Sequence, residues 1–129
     1  MKKNLIITAL IFIIPIVAYA ILSDTTAVSA QKSVAGKPQV VKFSSKLCID
    51  CKKLKKGFDE LKPQYSNQIT FTEYDVQLSD KETTDAINKY NINLVPTVIF
   101  IDKNGKEIKR TEGFIETHTL RQNFDELLK

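Results

Sequence analysis

From Val40 onward, the spacing of apolar residues changes several times, and each change marks an element. Val40-Val41-Lys42-Phe43 is a short, largely apolar run of strand length. From Cys48 to about Leu61 the chain reads as a helix. Cys51, Leu54, Phe58 and Leu61 recur at helical spacing, and Lys52, Lys53, Lys55 and Lys56 take the other sides. Pro63 is expected to end or kink this helix, because it lacks an N–H and its ring crowds the preceding turn. Ile69 to Val76 reads as a second strand, with Ile69 and Phe71 on one face. Ser79-Asp80-Lys81-Glu82 has the pattern of a capping box headed by Ser79. It opens a helix with Ala86, Ile87 and Tyr90 inward, stopped by Asn91. Val98 to Ile101 is continuously apolar, as in a strand buried on both faces. Asn104-Gly105 predicts a hairpin turn, and Glu107 to Thr111 a charged, edge-like return strand. Thr117 is expected to cap a last helix with Leu120, Phe124, Leu127 and Leu128 inward.

The order is strand, helix, strand, helix, strand, hairpin strand, helix. The first strand–helix–strand unit should cross over right-handed and place its strands parallel; the hairpin adds an antiparallel pair. These connections imply an α/β domain with a mixed four-stranded sheet and helices on both faces.

The N-terminus obeys a different pattern. Lys2 and Lys3 precede an apolar run over residues 5–22. As a helix this run spans roughly 27 Å, near the low end for crossing a bilayer. Two lysines before such a run hold the N-terminus in the cytoplasm and predict export of the residues beyond the run. Ala18-Tyr19-Ala20 and Val28-Ser29-Ala30 both satisfy the small-residue rule for cleavage, so a retained anchor and a cleaved signal both stand. The expected organisation is a signal-anchor or signal peptide over 1–22, a linker over 23–37 and one folded domain over 38–129. The domain would face outside the cytoplasm, anchored to the membrane through the N-terminal segment or soluble after cleavage.

Composition narrows the chemistry. The chain has 129 residues, 43% hydrophobic and 26% charged, which suits one domain with one core. Net charge is +4, with the charges interspersed and Trp absent, so nothing points to nucleic acid. Two Cys and one His can hardly build a four-ligand zinc site or a disulfide-rich scaffold. A small domain with one pair of thiols remains.

Those thiols lie in Cys48-Ile49-Asp50-Cys51, where the first strand gives way to a helix. Two intervening residues let both sulfurs meet across the first helical turn. The unpaired N–H groups and positive end of the helix favour a thiolate there. Cys48, at the exposed edge of the turn, is the candidate nucleophile, and Cys51, pointing inward, the resolving thiol. An inert structural disulfide and half of an intermolecular metal site are the other readings. The first adds little, because so short a loop constrains the unfolded chain weakly.

From Pro38 to the C-terminus, this motif and element order resemble the thioredoxin family. Val95-Pro96-Thr97 is similar to the family's cis-proline loop, and Gly113 to the glycine that brings backbone to the same surface. The chain departs from the family in carrying Leu47 where Trp is usual, Ile49-Asp50 between the cysteines, and Lys42 where many members bury an acid. The family's additional first strand has no clear counterpart; it is absent or lies in the linker.

The resemblance implies a thioredoxin-like fold preceded by the hydrophobic helix. It implies a protein-disulfide oxidoreductase working as a monomer. Cys48 and Cys51 would be catalytic, and Val95, Pro96, Thr97 and Gly113 would bind substrate. No metal and no cofactor beyond the redox-active Cys48–Cys51 disulfide is implied. Its partners would be protein thiols and disulfides and an upstream dithiol donor. Reduction is the first expectation; oxidase or isomerase activity, a redox-silent binding module and a metal chaperone are the rivals. Lys42 is expected behind the active-site helix near Cys51, as an aid to proton transfer or a bystander whose stem snorkels to solvent.

Overall fold

The computed structural model describes residues 36–129 of the chain. The apolar run, both cleavage candidates and most of the linker lie outside the described residues. The elements are β1 (Gln39–Ser44), α1 (Ile49–Tyr65), β2 (Thr70–Asp75), α2 (Lys81–Tyr90), β3 (Thr97–Ile101), β4 (Glu107–Glu112) and α3 (Thr117–Leu127). The four strands form one mixed sheet in the order β2-β1-β3-β4. β1 and β2 are parallel, joined by α1, and β1–β3 and β3–β4 are antiparallel.

Side-chain alternation along the central strands splits the core in two. Val40, Val98 and Phe100 point to one face, where they meet Leu54, Phe58 and Leu61 of α1 and Leu120, Phe124 and Leu127 of α3. Val41, Phe43, Ile99 and Ile101 point to the other, where Tyr74 and Ala86 join them. β3 is buried at every position, as its unbroken apolar run predicts. Phe124 is the hub of the first cluster, with the rings of Phe58, Tyr65, Phe71 and Phe100 at 5.2–6.2 Å. Edge-to-face packing of this kind adds to what burial alone contributes.

Three local expectations are corrected. α1 runs through Pro63 to Tyr65 rather than stopping near Leu61. The last turn is held by the buried Leu61 and Tyr65, and the Tyr65 hydroxyl donates to Asp125 at 2.6 Å. Tertiary packing outweighs the hydrogen bond that Pro63 removes. The cap of α2 is Asp80, not Ser79: one carboxylate oxygen accepts from the Thr83 N–H and the other from its hydroxyl, both at 2.9 Å. α3 is preceded by Glu116, whose side chain makes no cap bond, and Thr117 is the first helical residue rather than the cap. α3 packs close to α1 at this point: a Cβ on Gly57 would lie 2.9 Å from Thr117 Oγ1.

The stop at Asn91 is as expected. It adopts the left-handed conformation (φ 51°), and its N–H reaches the carbonyls of Ile87 and Asn88. At the hairpin, Asp102 Oδ1 accepts from the N–H groups of Asn104 and Lys106, and Gly105 supplies the positive φ of 81°.

Candidate active site

The strand-to-helix junction is built around a sulfur. Cys48 is the N-cap of α1, in extended conformation (φ −80°, ψ 121°), and its Sγ accepts from the Cys51 N–H at 3.1 Å. Sulfur thus takes the place of the usual capping oxygen at the positive end of the helix. The Cys48 N–H donates to the Ser45 carbonyl at 3.2 Å, closing the preceding turn. Both cysteines are free thiols. Cys48 is partly exposed, and Cys51 is 5% exposed beneath the first turn. Burial pushes the Cys51 thiol up to about 11, and its interaction with the Cys48 sulfur pushes the same way. A hydrogen bond with the Ser45 backbone and the charge of Lys42 pull against that rise.

The segment before β3 faces the pair. The Val95–Pro96 peptide bond is cis, and the Val95 carbonyl lies 3.8 Å from Cys48 Sγ. The Thr97 hydroxyl, itself buried, donates to the Leu94 carbonyl at 2.7 Å and closes the loop from behind. Gly113 comes after β4 with φ 88°, and its N–H donates to the Pro96 carbonyl at 2.8 Å. Only glycine takes that φ without a Cβ penalty, so Gly113 joins the end of β4 to the proline loop. The structure therefore brings Cys48, Cys51, Val95, Pro96, Thr97 and Gly113 to one end of the sheet. Exposed apolar side chains flank each segment: Leu47 and Ile49 around Cys48, Leu94 before Val95, and Phe114 after Gly113.

Lys42 sits on β1 with its side chain toward α1, 4% exposed, so its stem does not snorkel out. Its ammonium lies 2.8 Å from Glu73 Oε2 and 4.5 Å from the centroid of the Phe58 ring. Glu73 does not stand out in the sequence. The signal for it is Lys42 itself: a charge at a core-facing strand position needs a counter-charge on a neighbouring strand. β1 and β2 pair in register at Lys42 and Glu73, which puts them side by side. Burial works to raise the Glu73 carboxyl, but the hydrogen bonds from Lys42 and Lys62 outweigh it and hold the group below its ordinary range. Lys42, Glu73 and Cys51 line one cleft of about 290 Å³ between α1 and the β1–β2 edge. Among the described residues, no three His, Cys, Asp or Glu side chains gather as a metal site would require.

Comparison with known proteins decides the kinship of this arrangement. A family model described as a thioredoxin-like domain matches residues 26–128. The chain belongs to the thioredoxin-like domain family. A putative thioredoxin H10 of Arabidopsis thaliana is 34% identical over 87 residues, covering 67% of this chain and 52% of that protein. The thiol:disulfide interchange protein DsbD of Yersinia pestis is 29% identical over 107 residues, covering 79% of this chain and 18% of that protein. The chain thus spans about half of the first relative's length and less than a fifth of the second's. Among solved structures, the germline-specific thioredoxin Deadhead of Drosophila melanogaster shares the fold. Its TM-score is 0.60 at 22% identity, over 71% of this chain and 82% of that one. The thioredoxin-like fold expected from the sequence is the fold found.

Proposed function

We propose that this thioredoxin-like protein exchanges thiols and disulfides with other proteins through Cys48 and Cys51, acting as a reductase. One observation carries the reading. Cys48 Sγ caps α1 at the protein surface, while the Cys51 thiol waits buried one turn behind it. That asymmetry suits a two-step exchange. The Cys48 thiolate attacks a substrate disulfide and forms a mixed disulfide, with one substrate sulfur leaving as thiolate. The Cys51 thiolate then attacks Cys48 Sγ, forming the Cys48–Cys51 bond and releasing the second substrate sulfur. The substrate gains two electrons, the cysteine pair loses two, and a dithiol protein restores the pair. The Val95–Pro96–Thr97 loop and the Gly113 backbone offer edges for an extended substrate segment. The flanking Leu47, Ile49, Leu94 and Phe114 suit a substrate that is apolar around its disulfide.

The residues before the domain support an extracytoplasmic place for this chemistry, held to the membrane by the apolar run after Lys2 and Lys3. The relatives named as thiol:disulfide interchange proteins fit the exchange reaction. The test is Cys51→Ser in the full chain, offered a protein disulfide. A mixed disulfide accumulating through Cys48, and absent in Cys48→Ser, is expected. No adduct, or an adduct independent of Cys48, would overturn the reading and favour a redox-silent binding module.

A further inference from the structure

The active-site helix carries more positive charge than the fold consumes. α1 holds Lys52, Lys53, Lys55, Lys56 and Lys62 against Asp50, Asp59 and Glu60. Lys53 pairs with Asp50, Lys55 with Asp59 and Lys62 with Glu73, while Glu60 turns to Arg121. Lys52 and Lys56 are exposed and make no ion pair among the described residues. Lys52 stands at i,i+3 to Lys55 and at i,i+4 to Lys56, the spacings at which like charges on a helix repel. Lys52 and Lys55 line the cleft of about 290 Å³ that also holds Cys51, together with Lys46, Ser44 and Ser45 from the end of β1 and the loop after it. The carboxylates of the cleft are already engaged. Glu73 meets Lys42 at 2.8 Å and Lys62 at 3.0 Å, and Asp75, mostly buried, meets Lys46 only at 3.9 Å. Lys46 itself is 85% exposed. Ser45 Oγ accepts from the Leu47 N–H at 3.2 Å, and the hydroxyl protons of Ser44 and Ser45 have no acceptor among the described residues. The rim beside the thiols is thus cationic and rich in free donors.

We propose that this rim, formed by Lys46, Lys52 and Lys55, binds an acidic side chain of the protein substrate close to the substrate's disulfide. The proposal rests on the redox reading above and adds to it the class of substrate preferred. A carboxylate is the complement of three exposed ammonium groups and two free hydroxyls, and it accepts from both kinds of donor. The lysines rim the cleft that Cys51 lines, one helical turn behind the attacking sulfur, rather than a remote surface. That place suits a segment bonded to Cys48 better than a lipid headgroup. Lys52 and Lys55 lie about 6 and 10 Å beyond Cys48 along the helix axis, at about 1.5 Å per residue. An extended chain advances about 3.3 Å per residue, so the acidic residue stands about two to four positions from the substrate cysteine. The chemistry of exchange is unchanged; the rim raises the rate of encounter and holds the substrate segment in place.

The test offers the reduced full chain two disulfide peptides that differ only in carrying Glu or Gln three residues to either side of a cysteine. Reduction is followed in single turnover by mass. If neither peptide is reduced, the redox reading fails and this proposal with it. The Glu peptide should react about fivefold faster at low ionic strength, and the ratio should fall toward one in about 1 M salt, where screening acts within about 3 Å. The combined variant Lys46→Gln, Lys52→Gln and Lys55→Gln should bring the ratio near one at low salt. The ratio cancels any change in thiol reactivity, which both peptides share. All three side chains are exposed, so the substitutions leave the core untouched. The combined variant Lys103→Gln, Lys106→Gln and Lys129→Gln removes the same charge. Lys103 and Lys106 lie in the hairpin at the opposite end of the sheet, and Lys129 lines a groove with Lys103. That variant should keep the wild-type ratio. Equal rates for the two peptides on the wild type would leave the rim to another occupant, such as anionic lipid, and overturn the proposal. A Glu preference that survives loss of the rim lysines, or that the distant variant abolishes equally, would also overturn it.

Discussion

The unequal burial of the two thiols makes a quantitative prediction about their reactivity. The Cys51 thiol is raised from an ordinary 9.0 to about 11. At pH 7 its thiolate fraction is then about one in ten thousand, roughly a hundredfold below that of an ordinary cysteine. The side chain is also only 5% exposed, so a reagent must wait for the first turn of α1 to open. Cys48 is partly exposed, with its sulfur capping the helix at the surface, so a reagent reaches it without that opening. The assay is alkylation of the reduced full chain by iodoacetamide between pH 6 and 10, with each cysteine peptide counted by mass spectrometry. Cys48 should be labelled at least a hundredfold faster at pH 7, and Cys51 labelling should rise about tenfold per pH unit toward the top of the range. Cys48→Ala should move the Cys51 profile toward lower pH but leave it above an ordinary thiol. Burial, the largest cause of the rise, persists in that variant, while the interaction with the Cys48 sulfur is lost. Equal labelling of the two thiols at pH 7, or a flat Cys51 profile, would refute the assignment of roles.

Three further outcomes are expected. Phe124→Ala removes the ring at the centre of four aromatic contacts and should cost about 3–5 kcal/mol in chemical denaturation, with the slope of the transition unchanged. Glu73 is held below its ordinary range, so it stabilises the folded chain above about pH 4; that contribution is lost as pH falls through the lowered value. Acid titration of Glu73→Gln should accordingly show a shallower loss of stability below pH 5 than the wild type. The full chain should sediment with membranes and resist extraction by salt, and protease added outside the cytoplasmic membrane should reach the domain. A mature chain beginning at Ile21 or Gln31 would replace the anchor with a cleaved signal.

The fold was legible because its local signals agree with one another. The short apolar run at Val40–Phe43, the stripe from Cys51 to Leu61 and the unbroken run at Val98–Ile101 each name one element, and their order admits few sheets. The thiol pair was legible for the same reason: its spacing and its place after a strand are local facts. What escaped the sequence was set by packing or by register. Ser79 and Asp80 both have capping side chains, and the choice fell to the carboxylate that satisfies two Thr83 donors at once. Pro63 carries a strong local stop signal, overridden by the burial of Leu61 and Tyr65. Lys42 could be placed on a strand from its neighbours, but its partner Glu73 stands 31 positions later. Only the parallel pairing of β1 with β2 shows which acidic residue it meets. The carboxylate at the site therefore had to be found through the cation that needs it.

The central claim, that Cys48 and Cys51 form one two-electron couple, is tested most directly by a redox titration. The full chain is equilibrated across a series of dithiol–disulfide buffers, quenched in acid, and its free thiols counted by mass. One transition is predicted, with both thiols lost together into a Cys48–Cys51 bond and a tenfold change in the ratio for about 30 mV. Thiols that stay reduced across the whole series, or that oxidise independently into separate mixed disulfides, would contradict the account.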